Sequence, residues 1–206
     1  MSISNIVFYD DDLMNIMEIS KLSIPSILIS NKPVDLNYKE KDNYHKNFVN
    51  NSYYDYFESS GTPSAGFNMN HAKDLLTWLH KTDNPIVLFD WDRTITCFDG
   101  FSIENYPFTY SSHGIDPRHV MEYICGGYTR LNFLSFVFNS IRKEKGEIFI
   151  VTNNPVSVHN RNEFIKLIKI IDPKFNDGCL LYGNGNKRLA LLSCSYFMSL
   201  KKTIRK

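Results

Sequence analysis

The chain has 206 residues, of which 43% are hydrophobic and 14% aromatic, and its formal net charge is +1. This length suits a single domain, and the apolar share is enough for a substantial core. The nearly neutral charge provides no global attraction for nucleic acids or anionic membranes, so a nucleic-acid partner would have to bind through a local basic patch.

Four cysteines are scattered along the chain without a CxxC pair or a zinc-ligand spacing. We therefore expect reduced thiols rather than a disulfide framework or a zinc site. The first residues lack the charged and apolar blocks of a signal peptide, and no apolar run approaches the length of a membrane span. The sequence thus predicts a soluble, cytoplasmic protein with no membrane partner.

The N-terminal segment, residues 1–30, predicts a strand, a helix and a second strand. An apolar strand at Ile6–Tyr9 ends in the aspartates of 10–12, and apolar residues then recur at helical spacing to about Lys21. The next strand covers 26–30, so the order is typical of a βαβ unit with parallel strands.

The middle of the chain begins with 31–69, a polar stretch rich in Asn, Lys and Tyr that predicts a long connecting loop. Asn70 then predicts the cap of a helix from His71 to His80, which leads into a strand at Ile86–Phe89. Because this strand is apolar at every position, we expect it to be buried.

The C-terminal half continues this alternation. Residues 99–130 combine turn formers, aromatic residues and a helix start at Asp116, and they predict a small or minimal cap. The predicted elements of 131–206 are, in chain order, helix 131–143, strand 147–151, helix 163–171, strand 179–182 and helix 188–202. The whole pattern predicts one α/β domain, a Rossmann-like three-layer sandwich with a parallel sheet covered on both faces.

The predicted strand that precedes Asp90 ends in the most informative residues, Asp90, Asp92 and Thr94. Two carboxylates spaced i and i+2 leave a strand end on the same side, where open α/β sheets bind their ligands. One carboxylate can attack a substrate or bind a metal while the other transfers a proton. The alternative is a polar turn in which Asp92 or Thr94 caps a helix.

Three further segments place polar residues at strand ends or in loops. Thr152 and Asn153 follow an apolar strand, as Asp10 and Asp11 do, and Lys187 begins a helix after a Gly- and Asn-rich loop. Each has a plainer alternative, namely a helix cap, an acidic helix start favoured by the dipole, or a surface lysine. The residues that compete for these positions are Lys174, Arg188 and Asp12.

Together these segments resemble the motifs of the haloacid dehalogenase (HAD) superfamily of phosphotransferases. The run Asp90-Trp91-Asp92-Arg93-Thr94 resembles the leading DxDxT motif, Thr152 the second motif and Lys187 the third. The fourth motif, a strand that ends in paired acids, should follow the lysine helix, but here a similar segment stands at Asp10–Asp11. The resemblance therefore implies a HAD-like core that is circularly permuted.

The resemblance also implies a phosphatase, and it suggests a role for each motif residue. Asp90 would attack phosphorus and form an aspartyl-phosphate. Asp92 would protonate the leaving group and then activate water. Thr152, Asn153 and Lys187 would bind the phosphate.

The cofactor implied by the resemblance is Mg²⁺, held by Asp90, by Asp10 or Asp11, and by the backbone carbonyl of Asp92. Oxygen ligands suit this hard cation. The substrate would be a phosphomonoester of undetermined identity, and nucleic-acid ends or phosphoproteins are alternatives with the same chemistry. A rival hypothesis of another class is a catalytically silent HAD-like binding or scaffold protein. The sequence does not predict the oligomeric state.

Overall fold

The structure, a computed structural model, describes residues 5–29, 66–97 and 116–203. Most of the predicted loop 31–69 and the first part of the predicted cap 99–130 lie outside the described residues. The described elements are, in chain order, β1 (Ile6–Asp10), α1 (Leu13–Ser20), β2 (Ser26–Leu28), α2 (Met69–Leu79), β3 (Ile86–Phe89), α3 (Pro117–Cys125), α4 (Tyr128–Lys143), β4 (Glu147–Thr152), α5 (Val156–His159), α6 (Arg161–Ile171), a 3-10 turn (Asp177–Cys179), β5 (Leu180–Tyr182), α7 (Lys187–Ser193) and α8 (Ser195–Thr203).

The described strands form one parallel sheet with the order β2-β1-β3-β4-β5. This confirms the predicted α/β class with a parallel sheet. The register pairs Tyr9 with Phe89 and Phe89 with Ile150, so β1, β3 and β4 end beside one another. The polar residues that follow these three strands are therefore brought to the same edge of the sheet.

Helices cover both faces of the sheet. Alternate side chains of a strand point to opposite faces. Phe89 stacks on Phe138 of α4, whereas Phe149, which pairs with Leu88, contacts Phe197 of α8. On the α8 side α7 packs against α1 and α8, and on the other side α4 contacts α2, α3 and α6. The result is the three-layer arrangement expected of a Rossmann-like sandwich.

The centre of the sheet is buried on both faces. All residues of β1 and β3 are buried, as a parallel sheet between two helical layers requires. Trp91, which directly follows Asp90, is also fully buried and packs against Phe164 of α6. Among the described helices, none combines the length and the apolar character needed to cross a membrane.

The structure corrects several predicted boundaries. The predicted helix 188–202 is two helices, α7 and α8, because Cys194 is extended and its Sγ atom accepts the N–H group of Phe197 in the first turn of α8. Asn68, not Asn70, caps α2, because its side chain accepts the N–H groups of Asn70 and His71. The helix α5 is missing from the predicted elements, because its four residues are too few to show a helical period.

The described part of the predicted cap belongs to the core. In α3, Val120, Met121 and Ile124 are buried, and the helix packs against α4 and α6. The remainder, 99–115, lies outside the described residues. A small cap therefore stays a prediction.

Candidate active site

The turn that follows Asp90, residues 91–97, is called the motif turn here. The N–H group of Asp90 donates to the carbonyl oxygen of Tyr9 in β1, which ties the ends of β1 and β3 together. The N–H groups of Ile95 and Thr96 both donate to the carbonyl oxygen of Trp91 and close the motif turn. Asp90 thus directly precedes a short, closed loop, and Asp92 lies within it.

The backbone reverses direction inside the motif turn. Arg93 has a φ of 56°, in the left-handed region that few non-glycine residues adopt. The stretch is a turn and not the start of a helix, so the alternative in which Asp92 or Thr94 caps a helix is wrong.

Lys187 joins two of the predicted acids. Its Nζ atom lies 2.7 Å from Oδ2 of Asp10 and 2.5 Å from Oδ1 of Asp90. The exposed fractions are 3% for Lys187, 0% for Asp10 and 4% for Asp90. The three residues come from the ends of β1 and β3 and from the start of α7, so the topology of the sheet is what brings them together.

The two cations that competed with Lys187 lie elsewhere. Lys174 is exposed and follows the end of α6. Arg188 faces Glu18 of α1, with 3.8 Å between Nη1 and a carboxylate oxygen. The buried position between the acids is therefore occupied by Lys187.

Asp10, Asp11 and Asp90 form a compact carboxylate triad. One oxygen atom of each lies within 4.8 Å of the others. Asp12 is exposed, and its side chain accepts the N–H group of Met14 and caps α1. The structure thus places Asp11, rather than Asp12, beside Asp90.

Burial perturbs the charges of this cluster. Burial raises the pKa of Asp90 well above its ordinary value; the charge of Lys187 opposes this shift and that of Asp10 adds to it. Burial also raises the pKa of Asp11. Burial alone would lower the pKa of Lys187, but its two carboxylate neighbours outweigh that effect and raise it. The cluster holds more carboxylates than cations, and a divalent cation would offset the difference.

Asp92 is not one of the three triad residues, and its side chain contacts the segment after β4. The Nδ2 atom of Asn154 lies 3.3 Å from both carboxylate oxygens of Asp92. The Oδ1 atom of Asn154 accepts the N–H group of Val156, which fixes the orientation of the amide. Burial raises the pKa of Asp92 to about 6, although the amide of Asn154 works against the shift. A carboxyl group that titrates near neutral pH is suited to general acid–base catalysis.

Asn154 is a site residue that none of the sequence motifs includes. The available signal was the polar run Thr152-Asn153-Asn154 at the end of a buried strand. Nothing in that run tells which of the two amides faces Asp92, because the choice depends on how the chain turns after β4.

Thr152 and Asn153 have different surroundings. Thr152 is buried, and its Oγ atom accepts the N–H group of Asn154 at 3.0 Å, so its own hydroxyl hydrogen can be donated to a ligand. Asn153 is exposed, and its Oδ1 atom accepts the N–H group of Gly185 at 3.1 Å. A Cβ atom at Gly183 would collide with the same Oδ1 atom. The side chain of Asn153 therefore holds the loop that precedes α7.

Taken together, this edge of the sheet carries a buried carboxylate beside a cation, a second carboxyl group with a near-neutral pKa, and a hydroxyl donor. The triad offers only oxygen ligands, and half-buried Asp11 leaves one side open to water, which fits a cation that retains part of its hydration shell. No protein-family model, curated protein or solved structure matches the chain.

Proposed function

We propose that the chain is a magnesium-dependent phosphatase of the HAD-like type. The observation that carries this proposal is the contact of the Lys187 Nζ atom with the carboxylates of both Asp10 and Asp90, at 2.7 and 2.5 Å. Phosphoryl transfer requires a nucleophile and positive charge near the transferred group, and this contact supplies both from distant parts of the chain.

The same contact supports circular permutation. The strand β1 lies between β2 and β3, so the acids at its end stand next to Asp90 although the chain reaches them first. Permutation requires this adjacency, because the paired acids of the fourth motif must complete the site of the first. A sheet with β1 distant from β3 would have opposed it.

The proposed reaction has two steps. First, a carboxylate oxygen of Asp90 bonds to phosphorus, the bond from phosphorus to the leaving oxygen breaks, and Asp92 gives its proton to that oxygen. Second, Asp92 takes a proton from water as the water oxygen bonds to the same phosphorus, and the bond from phosphorus to the Asp90 oxygen breaks, which releases inorganic phosphate and free Asp90. A pKa of about 6 allows Asp92 to give and take a proton near neutral pH.

Two further side chains would hold the transferred group. The hydroxyl group of Thr152 would donate a hydrogen bond to a phosphate oxygen. The ammonium group of Lys187 would offset negative charge and weaken the repulsion between Asp90 and an anionic substrate.

The triad of Asp10, Asp11 and Asp90 would hold Mg²⁺, together with the backbone carbonyl of Asp92 that the family resemblance implies. When bound, this cation supplies positive charge to the carboxylates and to the phosphoryl oxygens.

The first test is hydrolysis of p-nitrophenyl phosphate by the purified protein with and without Mg²⁺. We expect turnover that EDTA removes and Mg²⁺ restores, because the triad needs a cation to accept an anionic substrate. Ca²⁺ is the matched control, since it also binds oxygen ligands but with a larger and looser geometry, and it should support less turnover. A phosphopeptide and a phosphorylated oligonucleotide extend the panel to the alternative substrates. Absence of both turnover and calorimetric Mg²⁺ binding would contradict the proposal.

Asp92 is half-buried, and an acid with a raised pKa costs stability where it is ionised. Above its folded-state pKa of about 6, Asp92 is ionised in a setting that favours its neutral form. In the unfolded chain the same group ionises near 3.8. The penalty is therefore full above about pH 6 and disappears as the pH falls toward 4.

Replacement of Asp92 by Asn should stabilise the protein while lowering its turnover. In EDTA at about pH 7.5, where Asp92 is ionised, we expect a gain of about 3 kcal/mol in the free energy of unfolding, because the penalty for ionising a carboxyl group whose pKa burial has raised from 3.8 to about 6 is gone. The gain should vanish near pH 4. Urea unfolding at both pH values measures it, and a gain of equal size at both would show that Asp92 is not the titrating group.

A further inference from the structure

Arg130, the third residue of α4, has no role in the proposed mechanism and an unusual environment. Only 4% of the residue is exposed. Its Nη1 atom donates to the carbonyl oxygens of Ile95 and Cys125, at 2.6 and 2.9 Å. Its Nη2 atom donates to those of Phe67 and Thr94, both at 3.2 Å. The guanidinium thus joins the motif turn to the end of α3 and to the segment before α2.

This buried cation is balanced by dipoles. Among the described residues, no ion pair links Arg130 to a carboxylate. Instead the acceptors are backbone carbonyls, including that of Cys125, the last residue of α3, where the helix dipole is negative. The planar guanidinium fork can reach several carbonyls at once, whereas the ammonium group of a lysine cannot reproduce this geometry. A side chain with such partners acts by holding their segments together.

The backbone leaves space for this guanidinium. Gly66 has a φ of +85°, and a Cβ atom there would collide with the Nη2 atom of Arg130 and approach the carbonyl oxygen of Thr94 to 2.8 Å. The N–H group of Phe67 donates to the same carbonyl oxygen at 2.7 Å. The position of the guanidinium is therefore built into two separate segments of the chain.

The motif turn transmits this restraint to Asp92. Thr94 and Ile95 lie two and three residues after Asp92, inside the loop that the hydrogen bonds to the Trp91 carbonyl close. Because the loop is closed, a shift of its Thr94–Ile95 side moves Asp92 relative to the rest of the site.

We propose that Arg130 is a positioning residue that holds the motif turn in the shape in which Asp92 meets the leaving group. The effect of Arg130 on catalysis rests on the proposed phosphatase activity. The effect of Arg130 on the shape of the motif turn does not depend on that activity.

The kinetic test compares an aryl phosphate with an alkyl phosphate, p-nitrophenyl phosphate and glycerol phosphate. An aryl oxide leaves with little help from an acid, whereas an alkoxide needs the proton from Asp92. We expect Arg130→Lys to lose about tenfold more kcat/KM on the alkyl than on the aryl substrate, a fraction of what a general acid contributes. The matched control is Arg142→Lys, since Arg142 is half-buried and bonds to Asp172 and to Glu147. Glu147 is the first residue of β4, so this contact lies at the opposite end of the strands from the site. Arg142→Lys should change kcat/KM by the same factor for both substrates.

The structural test follows Trp91, which lies in the motif turn and is fully buried. In a Trp78→Phe background, Trp91 is the remaining tryptophan, and acrylamide should quench its fluorescence weakly. Adding Arg130→Lys should raise the quenching severalfold, and adding Arg142→Lys should not. Where Arg130→Lys fails to fold, Arg130→Gln leaves no buried charge and cannot reach all the carbonyls that Arg130 bonds, and it should show the same two effects.

The two tests separate the outcomes. A selective loss on the alkyl substrate together with exposure of Trp91 supports the proposal. Equal losses on both substrates, or unchanged quenching of Trp91, overturns it. If the wild-type protein hydrolyses neither substrate with Mg²⁺, the proposed function fails, and the quenching of Trp91 alone decides whether Arg130 holds the motif turn.

Discussion

Replacement of Asp90 by Asn should reduce Mg²⁺-dependent hydrolysis of p-nitrophenyl phosphate to background. The amide has no anionic oxygen to attack phosphorus, so no covalent phosphoryl intermediate forms. The fold should survive, because Asn is close to Asp in size. The substitution also removes the charge of a buried carboxyl group whose pKa is raised by burial. The measurement is the initial rate of p-nitrophenyl phosphate hydrolysis as a function of enzyme concentration. Mass spectrometry of acid-quenched wild-type enzyme should find one phosphoryl group on the peptide that contains Asp90.

The matched control for this substitution is Asp12→Asn. Asp12 stands beside the triad in sequence but is exposed and caps α1, and Asn is an equally good N-cap residue. The control should keep both its turnover and its stability. Equal turnover in Asp90→Asn and wild type would show that Asp90 is not the nucleophile. A large loss in Asp12→Asn would show that the triad identified in the structure is not the metal site.

Much of the fold was predictable because buried parallel strands carry a local signal. The strands Ile86–Phe89 and Glu147–Thr152 are apolar nearly throughout and end abruptly in polar residues. This pattern indicates both the type of sheet and the edge at which polar groups gather. Whether Asp11 or Asp12 is the second acid of the metal site could not be predicted in the same way, because the answer depends on the residue at which α1 begins. The helix starts at Leu13, so Asp12 becomes its cap.

The contacts that complete the site are not local, so no motif in the sequence indicates them. Asn154 reaches Asp92 across 62 residues, and Arg130 reaches Ile95 across 35. Asn154 is one of two adjacent asparagines, and Arg130 lies near the start of a helix, where arginine is ordinarily exposed. Neither has a sequence feature that separates it from a surface residue. Only the packing of β3, β4 and α4 at one edge of the sheet distinguishes them.

The second large effect is expected from replacement of Lys187 by Met. The Nζ atom of Lys187 bonds to two carboxylates, and all three side chains are buried. Removal of one partner from a buried ion pair leaves uncompensated charge, which costs about 3–5 kcal/mol. We expect a loss of this size in the free energy of unfolding, measured by urea denaturation at about pH 7.5. Lys174→Met is the control, because Lys174 is exposed and should change stability by less than about 0.5 kcal/mol.

The pH dependence of Lys187→Met identifies the cause of this loss. Burial raises the pKa of Asp90, and Lys187 opposes that shift in the wild type, so the folded variant should bind a proton at Asp90 even more tightly. A carboxyl group with a raised folded-state pKa destabilises the fold above that pKa, and the penalty fades as the pH falls toward its ordinary value of 3.8. The variant should therefore recover stability on acidification in EDTA, and Mg²⁺ at neutral pH should recover part of it.

Loss of packing would behave differently from loss of charge. A variant that combines Asp10→Asn, Asp90→Asn and Lys187→Met has no charge at these three positions, and it should regain most of the stability that Lys187→Met alone loses. If the combined variant stays as unstable as Lys187→Met, the lysine stabilises the fold through its aliphatic stem and not through its charge. The contact between Lys187 and the two acids would then no longer support a phosphoryl-transfer site, because the cation that offsets substrate charge is the feature on which that function depends.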